Sequence, residues 1–289
     1  YRFRLIGLEN PNTCQVLVEH HDAKTGELLL SKPLGCPIKP GMSYELFSDE
    51  EAPILGIRYV LGKRRHESIG PVDVRLWTTR GTNALLERKG ARVLFVTTAG
   101  FRDILRIGNQ ARPSLFALNI EKRAELAEFV LEVDERLDAT GNMLRQPHTA
   151  SVAEDLRRYL SLGAEAVAIC FLHAHVNPIH EDRVAGIAQE AGFSHISVSS
   201  RVSRLEGFVP RCDTTVVDAY LSKVIREYVA SLQSSMPEAR IQLMTSNGGL
   251  VSADSAGGKD TILSGPAGGV VGCQKIARTA GYPKTIGFD

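Results

Sequence analysis

Ala166-Val-Ala-Ile-Cys-Phe-Leu172 is an unbroken apolar run. A strand with one wet face alternates apolar and polar residues, so a run without alternation belongs to a strand covered on both faces. Helical patterns on either side of the run can supply that cover. Residues 150–162 carry Val152, Leu156 and Leu160 with charges between them and stop at Gly163. Residues 178–191 form a second helical pattern, opened by Pro178. Farther out, 72–76, 92–97, 129–133, 195–199 and 241–245 read as strands, with 285–289 as a last one. Residues 82–89 (closed by Gly90), 121–128, 214–232 and 267–279 read as helices, and 100–107 as a helical turn or two. This alternation predicts an α/β architecture with a largely parallel sheet.

Ahead of it, residues 1–47 read as a small β-rich module with strands at 2–8, 15–20, 28–31 and 43–47. Asn10-Pro-Asn12, Lys24-Thr-Gly26 and Lys39-Pro-Gly41 supply the turns. The pattern changes at Ser48-Asp-Glu-Glu51, which has the form of a capping box leading into a helix to about residue 63. The expected organisation is therefore 1–47 as a module or insertion and 48–289 as the α/β region.

The chain has 289 residues, 43% hydrophobic and 23% charged, with a net charge of +1. Such near-neutrality gives no electrostatic footprint for nucleic acid or a membrane surface. Lys63-Arg-Arg-His66 is the one basic cluster and reads as a solvated helix end. No apolar run approaches the roughly 20 residues that span a bilayer. The five cysteines, 14, 36, 170, 212 and 273, form no C-x-x-C pair. Reduced, mostly buried thiols and a cytoplasmic location are expected. The first residue is not Met and the pattern begins in mid-course, so a piece of a longer protein is expected.

Five turns carry polar residues suited to chemistry. Thr78-Thr-Arg-Gly-Thr-Asn83 lies between a strand and a helix. It either aims backbone N–H groups at an anion or caps the helix. In Thr97-Thr-Ala-Gly-Phe-Arg-Asp103, Arg102 and Asp103 pair with neighbours, or Thr98 and Gly100 line a cleft at the strand ends, where open α/β sheets bind ligands. His173-Ala-His175, with His180-Glu181 beyond, suggests a metal site, but Pro178 argues against the continued strand such a site needs. Ser246-Asn-Gly-Gly249 meets a polar ligand or makes an Asn-Gly turn. Ser264-Gly-Pro-Ala-Gly-Gly269 opens a helix, and its glycines admit either a phosphate-like ligand or a close strand. Asp289 ends the last strand, a position that can hold metal-bound water or phosphate.

These stretches together resemble the hydantoinase/oxoprolinase family, of hydantoinase A type. Thr82-Asn-Ala-Leu-Leu-Glu-Arg-Lys-Gly90, Thr97–Asp103 as quoted, Glu132-Val-Asp-Glu-Arg136, Phe171-Leu-His173 with Asn177-Pro178 and His180-Glu181, Asp218-Ala-Tyr220, Asn247-Gly-Gly249 and Ser264–Gly269 match in order and approximate spacing. The match runs over 48–289, and 1–47 falls outside it. The resemblance implies a partial actin-like, ribonuclease-H-type ATPase core that uses ATP and Mg²⁺ to open a cyclic amide, such as 5-oxoproline to glutamate. It leaves open an N-methylhydantoinase, a subunit of an ATP-dependent ketone carboxylase, or a non-catalytic actin-like scaffold. A hydantoinase B-type subunit or domain and an oligomeric assembly are the implied partners.

Carried over residue by residue, Thr78, Thr79, Thr82 and Asn83 occupy the family's Gly-Thr-Thr-x-x-Thr-Asn turn beside the nucleotide, with Trp77 in place of its glycine. Ser264, Gly265, Gly268 and Gly269 complete the nucleotide side. Thr98, Gly100, Arg102, His173 and Asn247 fall to the substrate side. Asp289 would open the Asp-x-Gly-Gly-Thr phosphate loop as catalytic and metal-binding carboxylate. The first phosphate loop is absent and the second is reduced to its Asp, so this stretch alone is expected to be inactive.

Overall fold

Local hydrogen bonds and apolar alternation shape two separate units in the computed structural model, Tyr1–Gly70 with Ser234–Pro237, and Pro71–Gln233 with Glu238–Asp289. The structure describes all residues except 1, 6–14, 23, 49, 66, 111–113, 115, 117, 120–123 and 288–289. Asp289, the Asn10-Pro-Asn12 turn and parts of the 2–8 and 121–128 patterns thus lie outside the described residues.

In the first unit, β1 (Arg2–Leu5), β2 (Gln15–His21), β3 (Leu28–Leu30) and β4 (Tyr44–Phe47) form an antiparallel sheet in the order β3-β2-β1-β4. The β2–β3 reversal is an Asx turn. The Asp22 carboxylate accepts from Lys24 N at 2.8 Å, and Gly26 takes φ 75. Phe3 is buried among Val18, Leu28, Leu30, Leu34 and Met42. Helix α1 (Ala52–Leu61) starts later than Ser48. The Ser48 hydroxyl accepts from Glu50 N (3.1 Å) in a turn ahead of the helix, and Glu50 pairs with Arg58 (3.1 Å), so the expected capping box is not formed. Cys36 is disulfide-bonded, a departure from the reduced thiols expected; Cys170, Cys212 and Cys273 are free.

The second unit holds the alternating elements: β5 (Asp73–Leu76), α2 (Arg80–Leu86), β6 (Val93–Thr98), α3 (Ile104–Ile107), β7 (Ala127–Val133), β8 (Arg136–Leu137), β9 (Met143–Arg145), α4 (Thr149–Ser161), β10 (Ala166–Cys170), α5 (Ile179–Ala191), β11 (His195–Val198), α6 (Ser199–Val202), α7 (Phe208–Ser235), β12 (Arg240–Met244), β13 (Leu250–Ser252) and α8 (Ser264–Thr279). Strands β11-β10-β6-β7 form a wholly parallel sheet. The apolar run at 166–172 is central and buried, as its composition requires. Its side chains alternate. Val167 and Ile169 join Leu94 and Val96 against Leu156 of α4 and Val184 of α5. Ala166, Ala168 and Cys170 join Val93 and Phe95 against Cys212, Val216 and Ala219 of α7. A second sheet, β13-β12-β5, pairs β12 with β5 in parallel and with β13 antiparallel.

The structure corrects several expected elements. Residues 124–126 are not helical, and Ala127–Val133 is strand β7, paired with β6 from Val93↔Ala127 to Thr98↔Val133. Strand pairing outweighs local helix preference there. Residues 285–287 are in no strand. Helix α7 begins at Phe208, with Pro210 tolerated in its first turn. Helix α2 ends before Gly90: Arg88 makes the reversal at φ 57, and Lys89 N bonds Ala84 O at 2.9 Å.

Candidate functional site

The turn after β5 and the start of α8 are built into each other. Ser264 is fully buried; its hydroxyl donates to Thr78 O (2.8 Å) and lies 3.1 Å from Thr261 O and 3.4 Å from Thr78 N. The Thr82 hydroxyl donates to Ile262 O. A Cβ on Gly265 would lie 2.8 Å from the Thr79 methyl, and one on Gly268 2.5 Å from the Trp77 ring. Those glycines therefore admit close backbone approach, whereas a Cβ on Gly269 would meet nothing within 4 Å. Thr78, Thr82 and Ser264 are spent on internal bonds. Thr79 and Asn83 are exposed, with Asn83 Nδ2 3.5 Å from the Thr79 hydroxyl.

The turn after β12 joins this group. Ser246 Oγ accepts from Leu263 N (3.0 Å) and donates to Asp260 O (2.8 Å). Asn247 is exposed, but its carboxamide oxygen accepts from Gly249 N (3.1 Å) and from the Thr245 hydroxyl, as an Asn-Gly turn requires. Asn247, Thr245, Thr214, Lys259 and Ile262 line a cleft of about 480 Å³. The buried Asp218 of α7 secures the same region. It accepts from Ser197 Oγ of β11 (2.7 Å) and from Lys259 N (3.0 Å).

A second polar group lies at the carboxyl ends of β6, β10 and β11. Thr98 is fully buried; its hydroxyl donates to Glu135 and accepts from Leu172 N (3.0 Å). The other Glu135 oxygen lies 2.6 Å from His180 Nδ1, which leaves His180 Nε2 buried and unpartnered. The next residue, Glu181, accepts from Phe171 N (2.9 Å), Ser199 Oγ (2.5 Å) and Ser200 N (2.9 Å). Burial nevertheless pushes its carboxyl above the ordinary range, against the pull of those donors. Arg211 of α7 is fully buried and donates through Nη1 to Phe171 O (2.9 Å) and Ser199 Oγ (2.7 Å), with Glu181 at 3.8 Å. Burying such charges costs several kcal/mol, which these hydrogen bonds partly offset.

Gly100 and Arg102 line a smaller hollow of about 350 Å³ with Glu132, whose carboxylate accepts from Gly100 N at 2.7 Å. His173 closes the turn after β10 at φ 62. The expected substrate residues therefore divide. Thr98 adjoins the His173 turn, with Gly100 and Arg102 just beyond, while Asn247 sits with the nucleotide-side turns. The first turns of α7 stand between the groups: Phe208 meets Phe101 edge-on at 5.2 Å, Arg211 reaches the β10 end, and Thr214 lines the Asn247 cleft. Among the described residues, no group of three or more His, Cys, Asp or Glu could hold a metal ion, and no helix is long and apolar enough to cross a membrane.

Glu135, Ser199 and Arg211 were not singled out as site residues by the sequence. One signal was available: Arg211, Thr215, Asp218 and Ser222 recur at helical spacing and are all buried, a polar stripe along a helix that otherwise faces the core.

A model described as the hydantoinase/oxoprolinase N-terminal region matches residues 37–192, and one described as hydantoinase/oxoprolinase matches 211–289. A 5-oxoprolinase of Saccharomyces cerevisiae is 40% identical over 283 residues, covering 83% of this chain and 22% of that protein. The chain thus spans under a quarter of the length of this curated relative. An ATP-dependent caprolactamase from Pseudomonas jessenii superposes with TM-score 0.65 at 22% identity, over 97% of this chain and 41% of that one. A nucleotide-free acetone carboxylase gives TM-score 0.65 at 21% identity, over 73% and 32%.

Proposed function

Since this chain belongs to the hydantoinase/oxoprolinase family, we propose that the protein it is part of opens 5-oxoproline to glutamate at the expense of ATP. The observation that carries the reading is the fusion of the Thr78–Asn83 turn with the α8 start through Ser264, Thr82 and Gly268. It brings an exposed hydroxyl and carboxamide, Thr79 and Asn83, to the amino-terminal end of a long helix, which favours negative charge.

A five-membered lactam is an unreactive amide because nitrogen donates into its carbonyl. ATP, when bound, supplies the phosphoryl group that converts the lactam oxygen into a leaving group. Thr79, Asn83 and the face left open at Gly269 are the groups that would touch the polyphosphate; Thr78, Thr82, Ser264, Gly265 and Gly268 hold the turn in shape. On the substrate side, Gly100 and Arg102 line the hollow where the ring would lie, buried Thr98 and the His173 turn would hold the strand ends in shape, and Asn247 borders a separate cleft. Fixed positioning of reactants and donors is worth several kcal/mol of barrier. Mg²⁺ with Asp289 as ligand remains part of this proposal, and no step is derived from it because Asp289 lies outside the described residues. A hydantoinase B-type partner, an oligomer and a cytoplasmic setting belong to the same reading; the free, buried Cys170 and Cys212 suit a reducing compartment, and Cys36 does not.

The test is phosphate release by the full-length protein with 5-oxoproline, N-methylhydantoin, caprolactam, or acetone with bicarbonate. Release that depends on 5-oxoproline, with glutamate formed in equal amount, is expected. Dependence on another substrate reassigns the reaction, and substrate-independent release removes the amidase reading.

A further inference from the structure

Arg211 is fully buried, yet only one edge of its guanidinium is occupied. Nη1 is fixed by Phe171 O (2.9 Å) and Ser199 Oγ (2.7 Å). Nε and Nη2 on the other edge are buried and have no hydrogen-bond partner. Leaving such donors unmet costs more than neutral groups would, because the group is charged. The geometry of what is left over is specific. Nε–H and Nη2–H project side by side in the guanidinium plane, the fork that the two oxygens of a carboxylate match. His175 Nδ1 is also buried and unpartnered, and burial, with Arg211 beside it, holds His175 below its ordinary pKa. The Phe208 ring lies 5.3 Å from the Arg211 Cζ and gives the guanidinium a further fixed face.

We propose that the free edge of Arg211 is a seat for a carboxylate, and that it selects cyclic amides carrying a carboxylate on the ring. This deepens the amidase reading and rests on it. Charge favours a carboxylate over a phosphate dianion. Glu181 stands 3.8 Å from Arg211 with burial favouring its neutral form, so one monoanion balances the guanidinium and a dianion would add uncompensated buried charge. Both donors are buried, so ligand entry requires local opening beside Arg211; the connection between α6 and α7, residues 203–207, is held to the turn after β10 by Arg204 Nε to His175 O (2.9 Å).

The experiment is equilibrium dialysis of the full-length protein with labelled L-5-oxoproline and labelled 2-pyrrolidinone, the same ring without the carboxylate. Wild type should bind L-5-oxoproline about 100-fold or more tightly than 2-pyrrolidinone, since a site built for a polar group rejects the analogue lacking it. Arg211→Lys, which keeps the charge and loses the fork, should forfeit that difference while leaving 2-pyrrolidinone binding unchanged. Equal weakening of both ligands marks Arg211 as a structural residue and overturns the proposal. Should Arg211→Lys not fold, wild type decides alone, because equal binding of the two rings removes the seat. Displacement of L-5-oxoproline by millimolar inorganic phosphate reassigns the fork to phosphoryl oxygens and also overturns it. Arg211-dependent binding without turnover sinks the 5-oxoprolinase reaction and keeps the seat; 5-oxoproline turnover with an unchanged KM in Arg211→Lys does the reverse.

Discussion

Replacing Gly268 and Gly269 separately by alanine should give opposite outcomes from identical chemistry. In α8, an alanine at either position gains about 1 kcal/mol of intrinsic helix preference over glycine. At Gly269 nothing lies within 4 Å of the new methyl, so the whole gain is realised. At Gly268 the methyl would stand 2.5 Å from Trp77 Cγ, 2.6 Å from Cδ2 and 2.9 Å from Cβ. Carbon contacts are optimal near 3.5–4.0 Å, so about 1 Å of displacement is needed. Swinging the half-exposed indole away cannot relieve the contact with Cβ. Such overpacking costs about 1–3 kcal/mol, which leaves a net loss of about 0–2 kcal/mol. Hydrogen exchange of the α8 amides in the full-length protein reads this directly, because 1 kcal/mol is a factor of about 5 in the opening equilibrium. Protection should rise about 5-fold in Gly269→Ala and fall in Gly268→Ala, by up to about 30-fold. The KM for ATP should rise in both, through an obstructed approach in the first and a displaced turn in the second. Greater protection in Gly268→Ala than in Gly269→Ala would refute the packing argument, and an unaltered KM in both would remove this helix start from the nucleotide site.

Two further substitutions probe the polar framework. Glu181→Ala strands the donors of Phe171, Ser199 and Ser200 and leaves Arg211 without its nearby carboxylate. A loss of about 3–5 kcal/mol is expected, seen as a lower melting temperature or failure to accumulate, with Glu181→Gln milder; an unchanged melt would contradict this. Asp138 is held at a pKa of about 2 by the Thr140 and Asn142 side chains and the Asn142 amide. Its folded value lies below the ordinary 3.8, so its support of the β8–β9 turn is complete above that value and disappears as pH falls through about 2. NMR titration of an isotope-labelled sample should place the Asp138 midpoint well below 3.8, and an ordinary midpoint would dissolve the proposed turn network.

Much of the α/β core was legible because its signals are local. The unbroken 166–172 run, the flanking amphipathic helices and the Gly163 stop required no knowledge of neighbours. In the expected 121–128 helix, Ala127 and Glu128 were misread because they belong to β7, whose pairing with β6 is long-range. The Asn247-Gly turn was read correctly as one of two alternatives, and the hydrogen bonds from Gly249 and Thr245 identify the turn. For Ser264–Gly269 the alternatives divide by position: Gly268 packs on Trp77, and Gly269 does not. The polar group at the strand ends was hidden for another reason. Glu135, Ser199 and Arg211 lie far apart in the chain, and only the meeting of three strand ends with α7 makes them one network.

Asp218 fastens α7 on two sides, to Ser197 on the outermost parallel strand and to the amide of Lys259 on the approach to α8. Arg211 sits two helical turns earlier on the same rod, about 10 Å away along its axis. Because one carboxylate grips both neighbours, a single side chain ties the parallel sheet and the approach to α8 to the helix that carries Arg211.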